Sequence, residues 1–352
     1  MKNSILACCA LVATTLTSSY TADACSRVVY VGTDHTVVTG RTMDWMVSLK
    51  TNLWMFPVGI VRSGAAGPNS LRWTSKYGSV VSAAYDAAST DGMNQKGLVA
   101  NLLYLSTAQY EARDSSKPAL SLAGWPQYVL DNYATVAEAV AGLQKEEFQI
   151  VAPPMPGGYA PTMHLSISDV TGDSAIFEYI DGKLIIHHDP KYAVMTNEPS
   201  FDKQLALDEY WREIGGKVML PGTDRPADRF VRASYYLDQS IKTADTRTSI
   251  AGVFSIMRNV SVPMGVNNPD SPNIAPTLWR TVSDQKNLVY YFESVSSPNV
   301  VWVDFSKLNL AAGQPTRELD LQTGPDLSGE VSADFRKAPA FKFMDAGGTI
   351  AK

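Results

Sequence analysis

Beyond residue 25 the chain alternates short apolar runs with clusters of turn-forming residues, the pattern of strands joined by tight turns. "SRVVYVG" and "HTVVTGRTMDW" read as two strands with Gly32 to His35 turning the chain between them, which puts Cys25 at the exposed start of the first. "NLWMFPVGIVR" and "GSVVSAAYDAAS" continue in the same style, and "DGMNQKGLVANLLYLS" predicts a strand after turn residues at Asp91 to Gly97. Between Pro118 and Glu147 the period changes. Trp125, Val129, Tyr133, Val136, Val140 and Leu143 recur at three- and four-residue spacing, and Thr135 with Glu138 makes a capping-box pattern, so two helices meet near Tyr133. The Pro- and Gly-rich "VAPPMPGGYAP" stops them.

A meander of strands follows through "HLSISDV", "SAIFEYI", "KLIIHHD" and "YAVMTNEP", with Asp181-Gly182 as a strong hairpin signal. "SFDKQLALDEYWREI", "PADRFVRASYYLDQSI" and "TRTSIAGVFSIMRNV" read as helices. The loop "VPMGVNNPDSPNIAP" then leads into the hairpin "TLWRTVSDQKNLVYYF" and the strand "NVVWVDF". After Gly313 the pattern gives no element. Runs of strands and runs of helices without strict alternation predict an α+β protein, antiparallel sheets covered by helices. No repeat or linker divides it, so residues 25–352 are expected to form one domain.

The first 24 residues break the pattern. Lys2, an apolar run from Ile5 to about Leu16, a polar stretch and Ala22-Asp23-Ala24 make a secretory signal cleaved before Cys25, too short in its apolar part to span a membrane. A lipid-attachment signal would also end before a Cys, but Ala22 and Asp23 are not the aliphatic and small residues of such a site. Removing the leader takes away one Lys and one Asp, so the net charge stays at −5. That balance gives no footprint for nucleic acid, and no later run is long enough for a membrane. The expected location is exported, in the periplasm or outside the cell.

Export sharpens the cysteine question. Of three cysteines, Cys8 and Cys9 leave with the leader, and Cys25 alone cannot form an intrachain disulfide. A lone thiol in an oxidising compartment is open to oxidation, which favours a chemical reason for its presence. Other chemistry is sparse. The four histidines, at 35, 164, 187 and 188, show no metal-ligand spacing, and "GDSAI" fails as a nucleophile elbow. Ser283 to Lys286 matches S-x-x-K but falls in a hairpin turn, without the partner motifs of the serine enzymes that use it.

Cleavage before Cys25 would give one residue two functional groups. A terminal α-amine has a pKa of ~7.7–8.0 against ~8.5 for a thiol, so near neutral pH it supplies a base beside its own nucleophile. The bland alternative is a free Cys that happens to start a strand.

"CSRVVYVG", "TGRTMDW", "DGMNQKGL", "VMTNEPSFDKQL" and "ADRFVRASYYL" occur in the order and spacing of the choloylglycine hydrolases, the N-terminal nucleophile hydrolase family of penicillin V acylases and conjugated bile salt hydrolases. The chain resembles that family from Cys25 to about Phe305. The resemblance implies a four-layer αββα sandwich and a Cys25 nucleophile that hydrolyses linear amides without metal or prosthetic group. It implies Arg41 beside the thiol, where a cation favours thiolate, and Asp44 orienting the amine. It also implies an oxyanion hole from the Asn197 side chain and Tyr104, and an active-site Arg229, with Arg232 three residues later as the competing assignment. By residue type alone, Arg41 and Asp44 would be an ordinary ion pair and Asn197 a turn former before Glu198-Pro199.

Trp45 and Tyr104 are candidate walls of a substrate pocket, as are Trp54 and the loop from Pro153 to Pro161, although core packing explains Trp54 equally well. Tyr104 stands where bile salt hydrolases usually carry Asn, which tilts the resemblance towards exported penicillin V acylases of Gram-negative bacteria. The expected partner is a small amide: penicillin V, an N-acyl homoserine lactone or a conjugated bile acid. Two alternatives remain, a bile salt hydrolase and an exported binding protein that keeps the fold without the chemistry. Family members often form tetramers, so a homo-oligomer is expected, though the segment between Asn197 and Arg229 is short for an assembly loop.

Overall fold

The computed structural model describes residues 25–155, 161–215, 218–266 and 275–347. The expected leader, residues 1–24, lies outside them, as do parts of the loops at 151–161 and 262–276. Among the described residues a seven-stranded sheet runs, in spatial order, β14 (Val194–Thr196), β1 (Ser26–Val31), β2 (Val37–Asp44), β15 (Thr277–Asp284), β16 (Val289–Ser294), β17 (Val300–Asp304) and β19 (Gly329–Glu330). A nine-stranded sheet runs β13 (Lys183–His188), β12 (Ser174–Ile180), β11 (Met163–Ser168), β8 (Val99–Tyr104), β7 (Ala88–Asn94), β6 (Ser79–Ala84), β3 (Asn52–Phe56), β18 (Arg317–Leu319) and β20 (Arg336–Lys337). Two short pairs stand apart, β4 (Val61–Ser63) with β5 (Arg72–Thr74) and β9 (Ala119–Ser121) with β10 (Gln149–Val151).

The strand sequences explain the stacking. Successive side chains on a strand point to opposite faces, so a strand buried on both faces needs an apolar run instead of alternation. In β3, Leu53 and Met55 join one apolar cluster while Trp54 and Phe56 join the other, and Val80 and Val81 of β6 divide in the same way. One cluster fills the space between the two sheets and continues under α4 (Pro226–Gln239) and α5 (Thr246–Asn259), which cover the outer face of the seven-stranded sheet. The other lies between the nine-stranded sheet and α1 (Trp125–Asn132) and α2 (Val136–Leu143). α3 (Phe201–Ile214) packs on α4. The layers are therefore αββα, with strand pairing almost entirely antiparallel.

Local chemistry sets the joints. Thr135 Oγ1 accepts the Glu138 N–H at 3.2 Å, and Glu138 Oε2 reaches back to the Ala134 N–H at 2.8 Å, which starts α2 where the capping pattern predicts. Asp181 and Gly182 both adopt positive φ, 50° and 74°, the geometry of a two-residue hairpin turn between β12 and β13. At Gly40 in β2 a Cβ would come within 2.5 Å of Val253 on α5, so this helix can lie close to the sheet only over a glycine.

Three expectations change. Asp91 to Asn94 are not turn residues but the second half of β7, and the turn is confined to the residues before Leu98. The segment after Gly313 is structured: β18 and β20 extend the nine-stranded sheet, and β19 extends the other. Cys25 does not begin its strand in solvent, since β1 lies between β14 and β2 and the residue is only 2% exposed. Among the described residues no helix is long and apolar enough to cross a membrane.

Candidate active site

Three strands and a helix converge on Cys25. It precedes β1; Arg41 to Asp44 lie on the neighbouring strand β2; Asn197 follows β14 on the other side; and Arg229 projects from the first turn of α4, which packs on β1 and β14. The Cys25 thiol lies 3.8 Å from Arg41 Nη2, 3.8 Å from the Asp44 carbonyl oxygen and 3.9 Å from Met43 Sδ.

The main chain of Cys25 is held as firmly as its thiol. Its nitrogen donates to Asn197 Oδ1, and its carbonyl accepts from Arg229 Nη1 at 2.7 Å. Arg229 also donates to Ser26 Oγ at 2.5 Å and to Asn197 Oδ1 at 3.0 Å, and it lies 3.9 Å from Asp44 Oδ2. Thr42 Oγ1 donates to Asp44 Oδ2 at 3.2 Å while accepting the Ser26 N–H at 2.9 Å. These contacts bring Cys25, Arg41, Asp44, Asn197 and Arg229 into one buried cluster.

Tyr104 joins the cluster through its backbone. Asn197 Nδ2 donates to the Tyr104 carbonyl at 2.9 Å. Leu105 N–H donates to Thr162 O across the β8–β11 edge, so Tyr104, one position earlier, turns its own N–H and C=O to the opposite side, towards Asn197. The Tyr104 ring meets Trp45 edge to face at 6.0 Å. Arg232 does not take part: its guanidinium donates to Pro221 O at 2.8 Å and Thr223 O at 2.7 Å, in the loop before α4. The two arginines, inseparable in sequence, have different surroundings: Arg229 lies against Cys25 and Asn197, and Arg232 against the loop before α4.

Electrostatics corrects one expectation. Arg41 does pull the thiol towards ionisation, but burial pushes the Cys25 pKa up and outweighs it. The Arg41 cation alone therefore leaves the thiol above its ordinary pKa. Burial also raises Asp44 to about 6, against the opposing pull of Arg229, and lowers Arg229.

Sequence reasoning missed a supporting layer. Asp91 of β7 lies 3.9 Å from Arg41 Nη1, accepts from Asn101 Nδ2 at 2.5 Å and also accepts from the Tyr290 hydroxyl. Arg41 donates to Leu102 O at 2.9 Å and stacks over Trp279, its guanidinium carbon 4.6 Å from the ring centre. The signal was present, since "DGMNQKGL" begins at Asp91, but Asp, Gly and Asn read as turn formers.

From the thiol a narrow cavity of about 70 Å³ leads between the sheets and the loops above them. Trp45 and Tyr104 line it, with Pro153 and Pro161 at the ends of the expected wall loop. Four methionines, Met43, Met155, Met163 and Met344, supply much of the remaining surface. Trp54 does not line it; it packs on Phe56 and Phe341 and donates from Nε1 to Asp86 at 2.7 Å. Among the described residues no group of three or more His, Cys, Asp or Glu could hold a metal ion.

Comparison with known proteins follows the same lines. The sequence pattern of the linear amide C–N hydrolases, choloylglycine hydrolase family, matches residues 25–327. A penicillin V acylase of Pectobacterium atrosepticum is 50% identical over 95% of this chain and 95% of its own. A bile salt hydrolase/transferase of Clostridium perfringens is 26% identical over 77% of this chain and 89% of its own. The solved structure of penicillin V acylase from Agrobacterium tumefaciens superposes with a TM-score of 0.84 at 52% identity, covering 90% of this chain and 99% of its own. A variant of the conjugated bile acid hydrolase from Clostridium perfringens, 22% identical, superposes at 0.71 over 87% of this chain and 98% of its own, a likeness of fold.

Proposed function

The chain belongs to the choloylglycine hydrolase family and is a hydrolase of linear amides, and from that premise we propose that it is an exported penicillin V acylase whose nucleophile and base are both Cys25. The observation that carries this reading is the hold on the Cys25 main chain. A site that used only the thiol would have no need to fix the Cys25 nitrogen, yet Asn197 and Arg229 gather on its two backbone polar atoms. The family match beginning at Cys25 is consistent with cleavage of a leader at that bond.

In this mechanism the α-amine takes the thiol proton as sulfur attacks the amide carbonyl carbon. The Asn197 side-chain amide has a second hydrogen beyond the one given to Tyr104, and with the Tyr104 N–H it steadies the negative oxygen of the tetrahedral intermediate. The C–N bond breaks, the leaving amine takes the proton from the α-ammonium, and the acyl group stays on sulfur as a thioester. Water, deprotonated by the same amine, then releases the acid and restores the thiol. Asp44 and Arg229 orient the amine, and Arg41 stabilises the sulfur as charge develops. Acylation and deacylation both use one base.

The 50% identity to a penicillin V acylase, against 26% to a bile salt hydrolase, and Tyr104 together favour an apolar, slender acyl group. Phenoxyacetyl penicillin and long-chain acyl homoserine lactones should be hydrolysed, with glycine- and taurine-conjugated bile salts clearly poorer. A side-by-side kcat/KM comparison tests this, and bile salts as the best substrates would overturn the assignment. The exposed apolar face of Leu207, Tyr210 and Ile214 on α3, continued by Val218 and Met219, supports a homo-oligomer, for which mass in solution by light scattering is the test.

The pH profile tests the roles of the charged groups. Asp44, raised to about 6 from an ordinary 3.8, is protonated below about pH 6 and ionised above it. An acid whose folded pKa is raised costs stability once ionised, so this carboxylate is held charged for function against the preference of the fold. If both Asp44 and the α-amine must lose a proton, log kcat/KM should rise with slope 1 between pH 6 and 7 and steepen towards 2 below pH 6. A slope that stays at 1 down to pH 5 would show that Asp44 need not be ionised.

A further inference from the structure

The cavity wall contains one residue from far along the chain. Met344 lines it, although it lies beyond residue 327, where the family match ends. The segment that carries it leaves β20 at Ala338, whose N–H donates to Thr316 O at 3.0 Å. Phe341 then packs edge-on against Trp54 and Phe56, with centroids 4.8 and 5.2 Å away, and Phe343 lies 6.2 Å from Trp73 in a stacked arrangement. These rings anchor the segment to the apolar layer beneath α1 and α2.

Past those anchors the main chain of Met344 bridges two pieces of the cavity wall. Its N–H donates to Ala87 O at 2.8 Å, and its carbonyl accepts from Ser121 Oγ at 2.6 Å. Ala87 lies among wall residues Ala84, Tyr85 and Ala88, and Ser121 immediately precedes wall residues Leu122 and Ala123. Ala346 N–H, donating to Ala65 O at 2.7 Å, fixes the far end. Of residues 338–346, Met344 alone lines the cavity, and its unbranched side chain is half-buried.

We propose that residues 338–346 form a strap closing one wall of the acyl cavity, and that Met344 is a specificity-determining residue that sets the length and bulk of the acyl group accepted. This rests on reading the cavity as the acyl site. The cavity is small beside the ~300–1,000 Å³ of pockets for drug-sized ligands, so acyl groups enter by moving side chains. Methionine, with three rotatable bonds and a polarizable sulfur, is the side chain suited to such movement. The strap's backbone is fixed at both ends, so the adjustment falls on the Met344 side chain.

Shortening that side chain should lengthen the cavity, and an aromatic should block it. One methylene in an apolar pocket changes discrimination by about 10–200-fold. In the full chain with Cys25 confirmed as terminal by intact mass, Met344→Ala should raise the kcat/KM ratio of decanoyl to phenoxyacetyl amides of one chromogenic amine by about tenfold or more. Met344→Phe should lower it, and the near-isosteric Met344→Leu should leave it close to the parent. The affinities of hexanoate, octanoate, decanoate and dodecanoate, measured by calorimetry on the same proteins, give a readout independent of turnover. Length preferences that shift in the binding series uphold the strap even if no amide is hydrolysed, an outcome that would defeat the catalytic reading alone. Identical length profiles in parent, Ala and Phe variants, with unchanged melting temperatures, would overturn the proposal.

Discussion

A preparation that keeps one residue ahead of Cys25 should turn over amides roughly 10²–10⁴-fold more slowly than the processed chain, the range that general acid–base catalysis supplies. The extended protein should still fold, because the Cys25 nitrogen keeps an N–H to give to Asn197 Oδ1 whether it is an amide or an amine. What it loses is the basic lone pair. Burial holds the thiol in its protonated form against the pull of Arg41, so attack still needs a base, the role the proposed mechanism gives to the α-amine. The loss should therefore appear in kcat, with KM little changed. Cys25→Ser, correctly processed, should be severely impaired as well, since a hydroxyl is a far weaker nucleophile than a thiol. Two preparations whose intact masses differ by the retained residue decide the matter, and equal turnover would show that the terminal amine is not the base.

Asn197→Ala should lower kcat by at least roughly 10²–10³, the usual cost of one lost oxyanion donor. The geometry adds to that cost, because Asn197 Oδ1 also receives the Cys25 nitrogen and Arg229 Nη2, so truncation frees the nucleophile's own backbone. Asn197→Asp separates the two contributions. Aspartate keeps an acceptor for the amine and the guanidinium but has no N–H for the substrate oxygen. A loss as deep in Asp as in Ala assigns most of the effect to the donor; recovery in Asp assigns it to alignment of Cys25. Near-parental kcat in both variants would remove Asn197 from the chemistry altogether.

Much of this was legible in sequence where the determining physics is local. The cap at Thr135, the Asp181-Gly182 turn and the three helices after Ser200 each depend on neighbours a few residues away, and each falls where its pattern predicts. Asp91 was misread because its identity favours a turn, while its position is decided by Arg41 and Tyr290, which come from other strands. Arg229 and Arg232 are the same residue type on one helix, and only the packing of α4 against β1 and β14 tells them apart. The burial of Cys25 depends on β14, which begins 169 positions later, so no local window could contain it. In the final segment the strands are two or three residues long, too short to show a period, although Phe341 and Phe343 do alternate with Lys342.

On the proposed mechanism the same long-range pairing sets when activity can begin. Cys25 is among the first residues of the fold, yet its nitrogen waits for Asn197, 172 positions on, and its carbonyl for Arg229, 204 positions on. β2 needs β15 and β3 needs β18, so both sheets close only when segments from late in the chain arrive. Such non-local topologies fold slowly and leave unpaired strands exposed in the interval. A nascent chain stopped at residue 195 would carry the nucleophile with neither the amide that aligns it nor the arginine that grips it. The polypeptide should thus stay inert towards amides until synthesis has passed β18, which confines its reactivity to the finished fold.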